Sequence, residues 1–399
     1  MTRFGHAMEK IDERIPGVDL PLMSVSQTRG VIRRSELTDA PQRAESLDNY
    51  KVCRANDIVF NKMSIRSGAM GVAAEDGLVT YHYEVMRPRE GTDPHFVAYL
   101  MKSSWFTEEL IKRERGIGAG NQANVRTTEV PFSVLKTIDA YIPDRAEQRS
   151  IADYLDRETV RIDTLIEEQQ RLIEMLRERR RAVVKNAIPP KPSLGSGSDK
   201  LGRTARIGNG STPRRENRVY WDCGDVPWLN SSVVNQARVG SAAEFVTAAA
   251  LAECHLPIVP PGSVLVGLTG QGKTRGMATI LDIESTVNQH LAYVTPDRTR
   301  WWPDYLLWLL TAAYDDLRRI SEENGSTKGG LTCEALKQLR VTVPPIDEQR
   351  RIALHLDGQT SKTDTLIAET ERFIDLARER RSALITAAVT GQIDVRKAA

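Results

Sequence analysis

The residues from Gly267 to Thr274 read GLTGQGKT and fit the phosphate-binding pattern G-x-x-x-x-G-K-S/T, with a strand-like run directly before them. In a nucleotide-binding loop of this kind, a helix begins at the Lys-Thr pair and turns its N-terminus towards the phosphates. Here the chain continues RGMATILDIEST, whose early glycine and β-branched residues are typical of a strand. We therefore favour a Gly-rich hairpin, and a nucleotide-binding loop of an NTPase with a coiled-coil arm is the alternative.

Basic and amide side chains concentrate in Gly-containing loops, where the backbone can approach a ligand closely. Arg pairs with guanine edges, Asn and Gln pair with adenine edges, and Lys and backbone amides hold phosphates. These loops are therefore candidates for DNA contact, and a solvated surface is the alternative for each member. The candidates are Lys62, Arg66, Arg115, Gln122, Asn124, Arg126, Thr212, Arg214, Arg215, Gln271, Lys273, Arg275, Ser326 and Lys328.

Composition argues against several other kinds of site. The four cysteines are far apart and form no C-x-x-C pair, and the six histidines lack metal-ligand spacing, so we expect neither a metal site nor disulfides. Lys+Arg number 55 against 53 Asp+Glu, so any basic DNA-facing surface must be local. No run approaches the roughly 18 apolar residues of a membrane span, and the first residues lack a signal core. We expect a soluble cytoplasmic protein without membrane contact.

An internal repeat organises the chain. The segment from Glu147 reads EQRSIADYLDRETVRIDTLIEEQQRLIEMLRERRRA, and the segment from Glu348 reads EQRRIALHLDGQTSKTDTLIAETERFIDLARERRSA. They align without a gap, with about 20 identities in roughly 36 positions, and the match extends upstream. Because the period is too long for a solenoid repeat, it indicates a duplicated unit of one globular domain and one helix.

Each repeated segment has the apolar spacing of a long helix with a heptad seam. Polar residues such as Gln169 and Thr363 interrupt the seam, which weakens pairing but fixes its register. Two matched helices in one chain favour antiparallel pairing with each other, because each follows its own globular unit. Separate burial of two amphipathic helices is the alternative. The residues expected at the pairing seam, or on a stripe open to a partner, are Leu155, Ile162, Leu165, Leu172, Leu176, Leu356, Leu366 and Phe373.

Runs of β-branched and aromatic residues between Gly, Asn and Pro predict strands in both globular units. The expected strands are 56–63, 68–74 and 77–88 in the first unit and 262–270, 276–283 and 286–296 in the second. A helix is expected after each set, at 94–113 and at 303–320. Both units are therefore expected to be α+β.

The stretch PPKPSLGSGSDK predicts a linker, because its prolines cannot continue a helix and its Gly/Ser content favours flexibility. The expected organisation is a first globular domain at 1–142, a first helix at 143–188, the linker at 189–200, a second globular domain at 201–343 and a second helix with a C-terminal tail at 344–399.

The stretch IGNGSTPRRENRVYWDCGDVPWLNSSVV, from Ile207, resembles the opening of a target recognition domain in specificity subunits of type I restriction-modification systems. YKVCRANDIVFNKMSIRSGAMGVA and LPIVPPGSVLVGLTGQGKTRGMATI resemble that family's next hairpin, and the E-Q-R-x-I-A-x-x-L helix openings after Pro143 and Pro345 resemble its conserved regions. The resemblance covers nearly the whole chain. The first unit departs from it by lacking the G-x-T-P…W opening. The family's residues at that opening are matched by Gly210, Thr212, Pro213, Tyr220, Trp221, Gly224, Asp225, Pro227 and Trp228.

The resemblance implies two α+β target recognition domains separated by a pair of long antiparallel coiled-coil helices, related by a pseudo-twofold. It implies a non-catalytic chain that reads a bipartite site on double-stranded DNA, with the helices setting the gap between the halves. Two modification subunits would carry S-adenosylmethionine and methylate adenine, and restriction subunits with ATP and Mg would join in complexes that cleave. No cofactor is implied in this chain, and it carries no N-P-P-Y/F methylase motif.

Overall fold

The computed structural model describes residues 1–39, 46–115, 129–189, 199–270, 272–323 and 330–396. The chain divides into two compact units. Unit 1 combines Met1–Gln170 with Glu371–Ala399, and unit 2 comprises Arg171–Thr370. Each of the two long helices therefore contributes a part to both units.

Unit 1 is built from short strands and helices, followed by the first part of a long helix. In chain order its elements are β1 (Thr2–Arg3), α1 (Phe4–Ala7), β2 (Met8–Ile11), β3 (Met23–Ser26), β4 (Gly30–Arg33), β5 (Lys51–Cys53), β6 (Ile58–Asn61), β7 (Met70–Val72), β8 (Gly77–Val79), β9 (Tyr83–Pro88), α2 (Pro94–Lys102), α3 (Ser104–Arg115), α4 (Phe132–Leu135), β10 (Asp139–Ala140) and the long helix α5 (Arg145–Ala187). Short 3-10 turns lie at Arg34–Glu36 and Ile65–Ser67.

Unit 2 has the same kinds of element and contains the first part of the second long helix. In chain order they are β11 (Asp199–Lys200), β12 (Ala205–Asn209), β13 (Val226–Leu229), β14 (Arg238–Val239), β15 (Glu244–Val246), α6 (Ala248–Glu253), β16 (Val264–Gly267), β17 (Ala278–Leu281), β18 (Thr286–Val287), β19 (Leu291–Pro296), α7 (Pro303–Ala312), α8 (Tyr314–Glu323), α9 (Cys333–Gln338), β20 (Arg340–Val341) and the long helix α10 (Ile346–Val389). Its 3-10 turns lie at Leu201–Arg203, Arg218–Tyr220 and Ser231–Asn235.

The two units share one sheet plan. In unit 1 the strand order is β2-β9-β6-β7, and in unit 2 it is β12-β19-β16-β17, with β14 added at the edge. The four equivalent strands pair antiparallel in both sheets. One face of each sheet contributes to a core shared with the helices that follow. The α+β class and the paired long helices expected from the sequence are confirmed.

Several elements are shorter or more divided than the sequence predicted. The strand expected at 77–88 is split into β8 and β9, and the one expected at 286–296 into β18 and β19, each around a turn. Each helix predicted after the strands is also split in two. Ser103 has extended backbone angles, and its hydroxyl donates to the carbonyl of Leu100 and accepts from the amide of Phe106. Apolar periodicity continues through these breaks, and for that reason the sequence alone did not reveal them.

Unit 1 begins in the same way that unit 2 begins. The amide of Phe4 donates to the carbonyl of Ile138 at 2.8 Å, and the amide of Leu201 donates to the carbonyl of Leu339 at 2.8 Å. Gly5 follows the buried Phe4, and Gly202 follows the buried Leu201. A Cβ at Gly5 would lie 2.9 Å from the Cβ of Lys136, and a Cβ at Gly202 would lie 2.8 Å from the Cβ of Lys337, so only glycine fits at either place.

The long helices run antiparallel within each unit. In unit 1, Asp163 of α5 pairs with Arg381 of α10 at 2.8 Å, while the earlier Leu155 shares a core with the later Ile385. In unit 2, Arg180 pairs with Asp364 at 2.8 Å, and the core there includes Val184 and Leu356. Since the sequence numbers on the two helices change in opposite directions along each contact, the chain directions are opposite.

The buried stripe of α5 contains part of the predicted seam. Leu155 and Ile162 are buried, as expected, but Leu165 and Leu172 are exposed. The positions one residue later, Ile166 and Ile173, are buried instead and continue a spacing of three and four residues from Leu155. On α10, Leu356 is buried while Leu366 and Phe373 are exposed, and Leu176 of α5 is half-buried.

A fully buried glutamine fixes the start of each long helix. In unit 1 the Gln148 side chain accepts from the amide of Asp93 at 2.8 Å and donates to the carbonyls of Gly91 at 3.1 Å and Pro143 at 2.7 Å. In unit 2 the Gln349 side chain accepts from the amide of Trp302 at 2.8 Å and donates to the carbonyls of Arg300 and Pro344. Both glutamines therefore join the helix start to the loop that leads into α2 or α7.

Replacing Gln148 by Met should lower the free energy of unfolding of unit 1 by about 2–3 kcal/mol, because the buried amide of Asp93 and two part-buried carbonyls lose their partner. Hydrogen exchange should show faster exchange of the Asp93 amide. Gln170→Met, at an exposed position of the same helix, is the control and should change stability by about 0.5 kcal/mol or less. Equal protection of Asp93 in both variants would contradict this role.

Candidate nucleic-acid interface

Three loops of unit 2 meet at one end of its sheet. They follow β12, join β16 to β17 and precede β19, and the antiparallel pairing of these strands brings them together. Backbone bonds tie the loops to one another. The amide of Gly210 donates to the carbonyl of Asn288, and the amide of Leu268 donates to the carbonyl of His290. We call these residues, 209–215, 268–270, 272–277 and 288–290, the unit 2 loop cluster.

The Gly210–Arg215 loop is held against two tryptophans. The indole N–H of Trp228 donates to the carbonyl of Ser211, and that of Trp221 donates to the carbonyl of Arg214, each at 3.1 Å. The Arg215 guanidinium lies 4.0 Å from the ring centroid of Trp221 and 5.0 Å from that of Trp228. It also pairs with Glu244, and this hydrogen bond lowers the pKa of the Glu244 carboxyl. Arg215 is therefore already engaged within the chain, while Arg214 is exposed.

The β16–β17 hairpin packs on helix α8. The hydroxyl of Tyr314 donates to the carbonyl of Lys273 at 3.0 Å, and Arg318 donates to the carbonyl of Gly272 at 2.7 Å. Arg275 is only 8% exposed and pairs with Glu322 at 3.2 Å. Its guanidinium therefore holds the hairpin on α8, and the predicted contact of Arg275 with DNA stays a prediction. The side chain of Lys273 is exposed.

The hairpin geometry decides between the two interpretations of GLTGQGKT. The amide of Met277 donates to the carbonyl of Thr274 in a turn, and β17 then runs antiparallel to β16. No helix begins at Lys273–Thr274, so the backbone amides of a helix N-terminus are not available there to phosphates. The nucleotide-binding alternative is therefore not supported, and the Gly-rich hairpin is confirmed.

A chain of polar side chains crosses the unit 2 loop cluster. The hydroxyl of Thr212 donates to Gln289 Oε1 at 2.7 Å, and Gln289 Nε2 lies 3.2 Å from His290 Nε2. His290 Nδ1 lies 3.1 Å from the hydroxyl of Thr269. Gln289 and His290 were not among the residues predicted from sequence. The signal that could have found them is the pair VTYHYE and VNQHLA, in which a histidine directly precedes the central strand of each unit.

Fewer of the DNA-contact candidates of unit 1 lie in the described part of the chain. Lys62 follows β6 and is half-buried, with its ammonium 3.1 Å from Glu129. Arg66 lies in the Ile65–Ser67 turn, which ends at Gly68 in a left-handed conformation at φ 81°. The remaining candidates, or their side chains, lie outside the described residues, and their contact with DNA stays a prediction. They are Arg115, Gln122, Asn124 and Arg126 in unit 1, and Gln271, Ser326 and Lys328 in unit 2.

Among the residues that the structure describes, no group of three or more His, Cys, Asp or Glu side chains is arranged to hold a metal ion. No helix in the same ranges is long and apolar enough to cross a membrane. The chemistry that the loop clusters offer is hydrogen bonding and positive charge.

One family model matches part of the chain. Residues 199–372 match the family described as the type I restriction modification DNA specificity domain. The specificity subunit of the type I restriction enzyme EcoR124I/EcoR124II of Escherichia coli is 21% identical over 181 residues, which are 45% of this chain and 45% of that protein. The matched segment thus spans less than half of this curated relative.

Two solved structures share the fold along nearly the whole chain. One, from a study of complex assembly and conformational transition of the type I R-M system, has a TM-score of 0.77 at 17% identity and covers 98% of this chain and 97% of its own. The other, the HsdS subunit from Thermoanaerobacter tengcongensis, has a TM-score of 0.58 at 18% identity and covers 98% and 96%. At these identities the likeness establishes the fold.

Gly210→Ala should destabilise unit 2 by about 1–3 kcal/mol, because overpacking forces the backbone to move. A Cβ at Gly210 would lie 1.8 Å from the carbonyl oxygen of Val287, which is held in a strand. Thermal unfolding followed by tryptophan fluorescence measures the effect. Gly240→Ala, where a Cβ would meet nothing within 4 Å, is the control. Equal midpoints for the two variants would mean that the Gly210 loop can shift freely.

Proposed function

We propose, on the premise that residues 199–372 match the family of type I restriction-modification DNA specificity domains, that the chain is the DNA-reading subunit of a type I restriction-modification complex. Each unit reads one half of a bipartite site on double-stranded DNA. The observation that carries this proposal is the shared sheet plan, because it places loops at the same end of an equivalent sheet in both units. The domain boundaries expected from the sequence remain part of the proposal.

In this proposal the chain recognises DNA and its partners perform the catalysis. Modification subunits would carry S-adenosylmethionine and methylate adenine, and a restriction subunit, where one joins, would use ATP and Mg. The chain itself would hold no cofactor and would act in the cytoplasm. A polar loop cluster without the helix of a nucleotide-binding loop supports a role in recognition.

The exposed cations of the loops are the proposed contacts with DNA. In unit 2 these are Arg214 and Lys273, whose side chains are exposed. Arg215, at half exposure, would orient the Gly210–Arg215 loop through its two tryptophan contacts and present its outer edge to a phosphate. Lys62 and Arg66 occupy the equivalent hairpin of unit 1. Phosphate contacts would position the duplex, and base contacts would specify its sequence.

The exposed apolar residues of the long helices support the binding of two copies of one partner. Unit 1 exposes Leu165, Phe373 and Leu376 on its helix pair. Unit 2 exposes the repeat equivalents of the same three residues, namely Leu366, Leu172 and Met175. Large apolar side chains that remain exposed at matching positions indicate a docking surface rather than scattered surface residues. We assign these surfaces to the two modification subunits.

The proposal is tested by mapping N6-methyladenine across a genome in cells that contain the partner subunits, with and without this chain. We expect a bipartite motif with a non-specific gap, present only when the chain is present. Methylation that is independent of the chain, or that follows one continuous motif, would overturn the proposal.

Lengthening both helices should lengthen the gap if the paired helices set the spacing. Seven residues inserted after Gln170 and seven after Thr370 keep the internal contacts of each unit and add about 10 Å of helix. The gap should grow by about three base pairs, at about 3.4 Å each. Both half-site sequences should stay unchanged in the methylation map. Altered half-sites at the original spacing would contradict the role of the helices.

Charge placed on one docking surface should remove one partner copy. Phe373→Glu in unit 1 and Leu172→Glu in unit 2 should each reduce the complex from two modification subunits to one, and the double variant should bind none. Native mass spectrometry measures this stoichiometry. Val160→Glu is the control, because Val160 is exposed and apolar but its repeat equivalent, Ser361, is not apolar. Two bound partners in the double variant would rule out this surface.

A further inference from the structure

Each unit carries a histidine directly before the central strand of its sheet. His82 precedes β9, and His290 precedes β19. The preceding turns are equivalent, because the amide of Tyr83 donates to the carbonyl of Thr80 at 3.0 Å and the amide of Leu291 donates to that of Asn288 at 3.4 Å. The residue before the histidine therefore occupies the same place in both units. That residue is Tyr81 in unit 1 and Gln289 in unit 2.

The carboxamide of Gln289 is oriented by its neighbours. Its oxygen accepts from Thr212, and its nitrogen faces His290, which in turn lies against Thr269. The backbone is fixed as well, since Asn209 donates to the carbonyl of Gln289 at 3.3 Å. Gln289 nevertheless has an exposed side chain. A carboxamide has two acceptor lone pairs and two donor hydrogens, so one of each remains available after the contacts with Thr212 and His290.

Tyr81 presents a different chemistry at the equivalent place. Its ring centroid lies 4.0 Å from that of His82, and the residue is 53% exposed. The neighbouring histidine supports the tyrosine ring, just as His290 supports the Gln289 amide. A tyrosine offers an apolar face and one hydroxyl, so it cannot form the paired donor and acceptor contact of a carboxamide.

We propose that Gln289 reads an adenine in the half-site of unit 2, and that Tyr81 contacts the base at the corresponding position of the other half-site. This inference rests on the function proposed above. A carboxamide binds adenine in the major groove by donating to N7 and accepting from N6, and guanine and the pyrimidines do not offer that pair. The fixed orientation of Gln289 supplies the required donor and acceptor before DNA arrives. Thr212 and His290 act as positioning residues.

The decisive variant is Gln289→Glu, which keeps the shape and replaces the donor nitrogen by an acceptor oxygen. With the full chain and its modification subunits, methylation mapping should show one altered position in one half-site, away from adenine, because the acceptor repels adenine N7 and suits a cytosine amino group. Tyr81→Gln should alter one position in the other half-site. Gln359→Glu, the same change at an exposed position of α10, is the control and should leave the motif unchanged.

Gln289→Ala distinguishes base reading from backbone contact, after circular dichroism has confirmed that the variant folds. The variant should bind the cognate duplex about tenfold to hundredfold more weakly than the unaltered chain does. Across a set of duplexes, each with one base pair replaced, its affinity should be equal for all four bases at one position. An equal loss for every duplex would mean that Gln289 contacts a phosphate, and an unchanged motif in Gln289→Glu would mean that it contacts no base. Either result overturns this inference while the bipartite motif of the unaltered chain still supports the proposed function.

Discussion

The buried glutamine at the start of each long helix is the interaction on which the rest of the structure depends. The Gln148 side chain satisfies three backbone groups from two different segments, and Gln349 satisfies the equivalent three. Buried backbone groups left without partners cost about 1–3 kcal/mol each, so this side chain can hold a loop to a helix where apolar packing could not specify the register. Once the helix start is fixed, the direction of the helix relative to its own globular domain is fixed as well.

A second repeated contact continues the same connection one turn or two further along. Tyr99 of α2 donates to Asp156 at 2.6 Å, and Trp308 of α7 donates to Asp357 at 2.9 Å. Burial, together with the Asp156 carboxylate, raises the pKa of Tyr99 to about 12, so its hydroxyl stays a donor at neutral pH. The ion pairs between the helices are more exposed and contribute about 0–1 kcal/mol each. Apolar packing therefore stabilises the helix pairs. The contacts of Tyr99 and Trp308 select the register of each long helix against its own domain.

The sequence predicted the duplicated plan because the repeat can be recognised even though many of its positions differ between the two halves. E-Q-R-x-I-A in both halves marked the helix starts, although the role of its glutamine required coordinates. The sequence could not decide between two adjacent stripes, because Leu165 and Leu172 are as apolar and as large as Ile166 and Ile173 beside them. Only the packing partner decides which of two adjacent apolar positions faces inward. The burial of Arg275 was hidden for the same reason, since Glu322 lies far away in sequence.

Under the proposed function, the distribution of repeated and unrepeated residues explains how one fold would read two different half-sites. The helix residues that join each helix to its domain are the same in both units, namely Gln148 and Asp156 in α5 and Gln349 and Asp357 in α10. Tyr81 and Gln289, by contrast, share a backbone turn and a neighbouring histidine but have different side-chain chemistry. A substitution there changes the groups offered to DNA without removing a buried contact, because both residues are exposed. Recognition can therefore diverge at the loop ends while the buried glutamines keep both units on their helices.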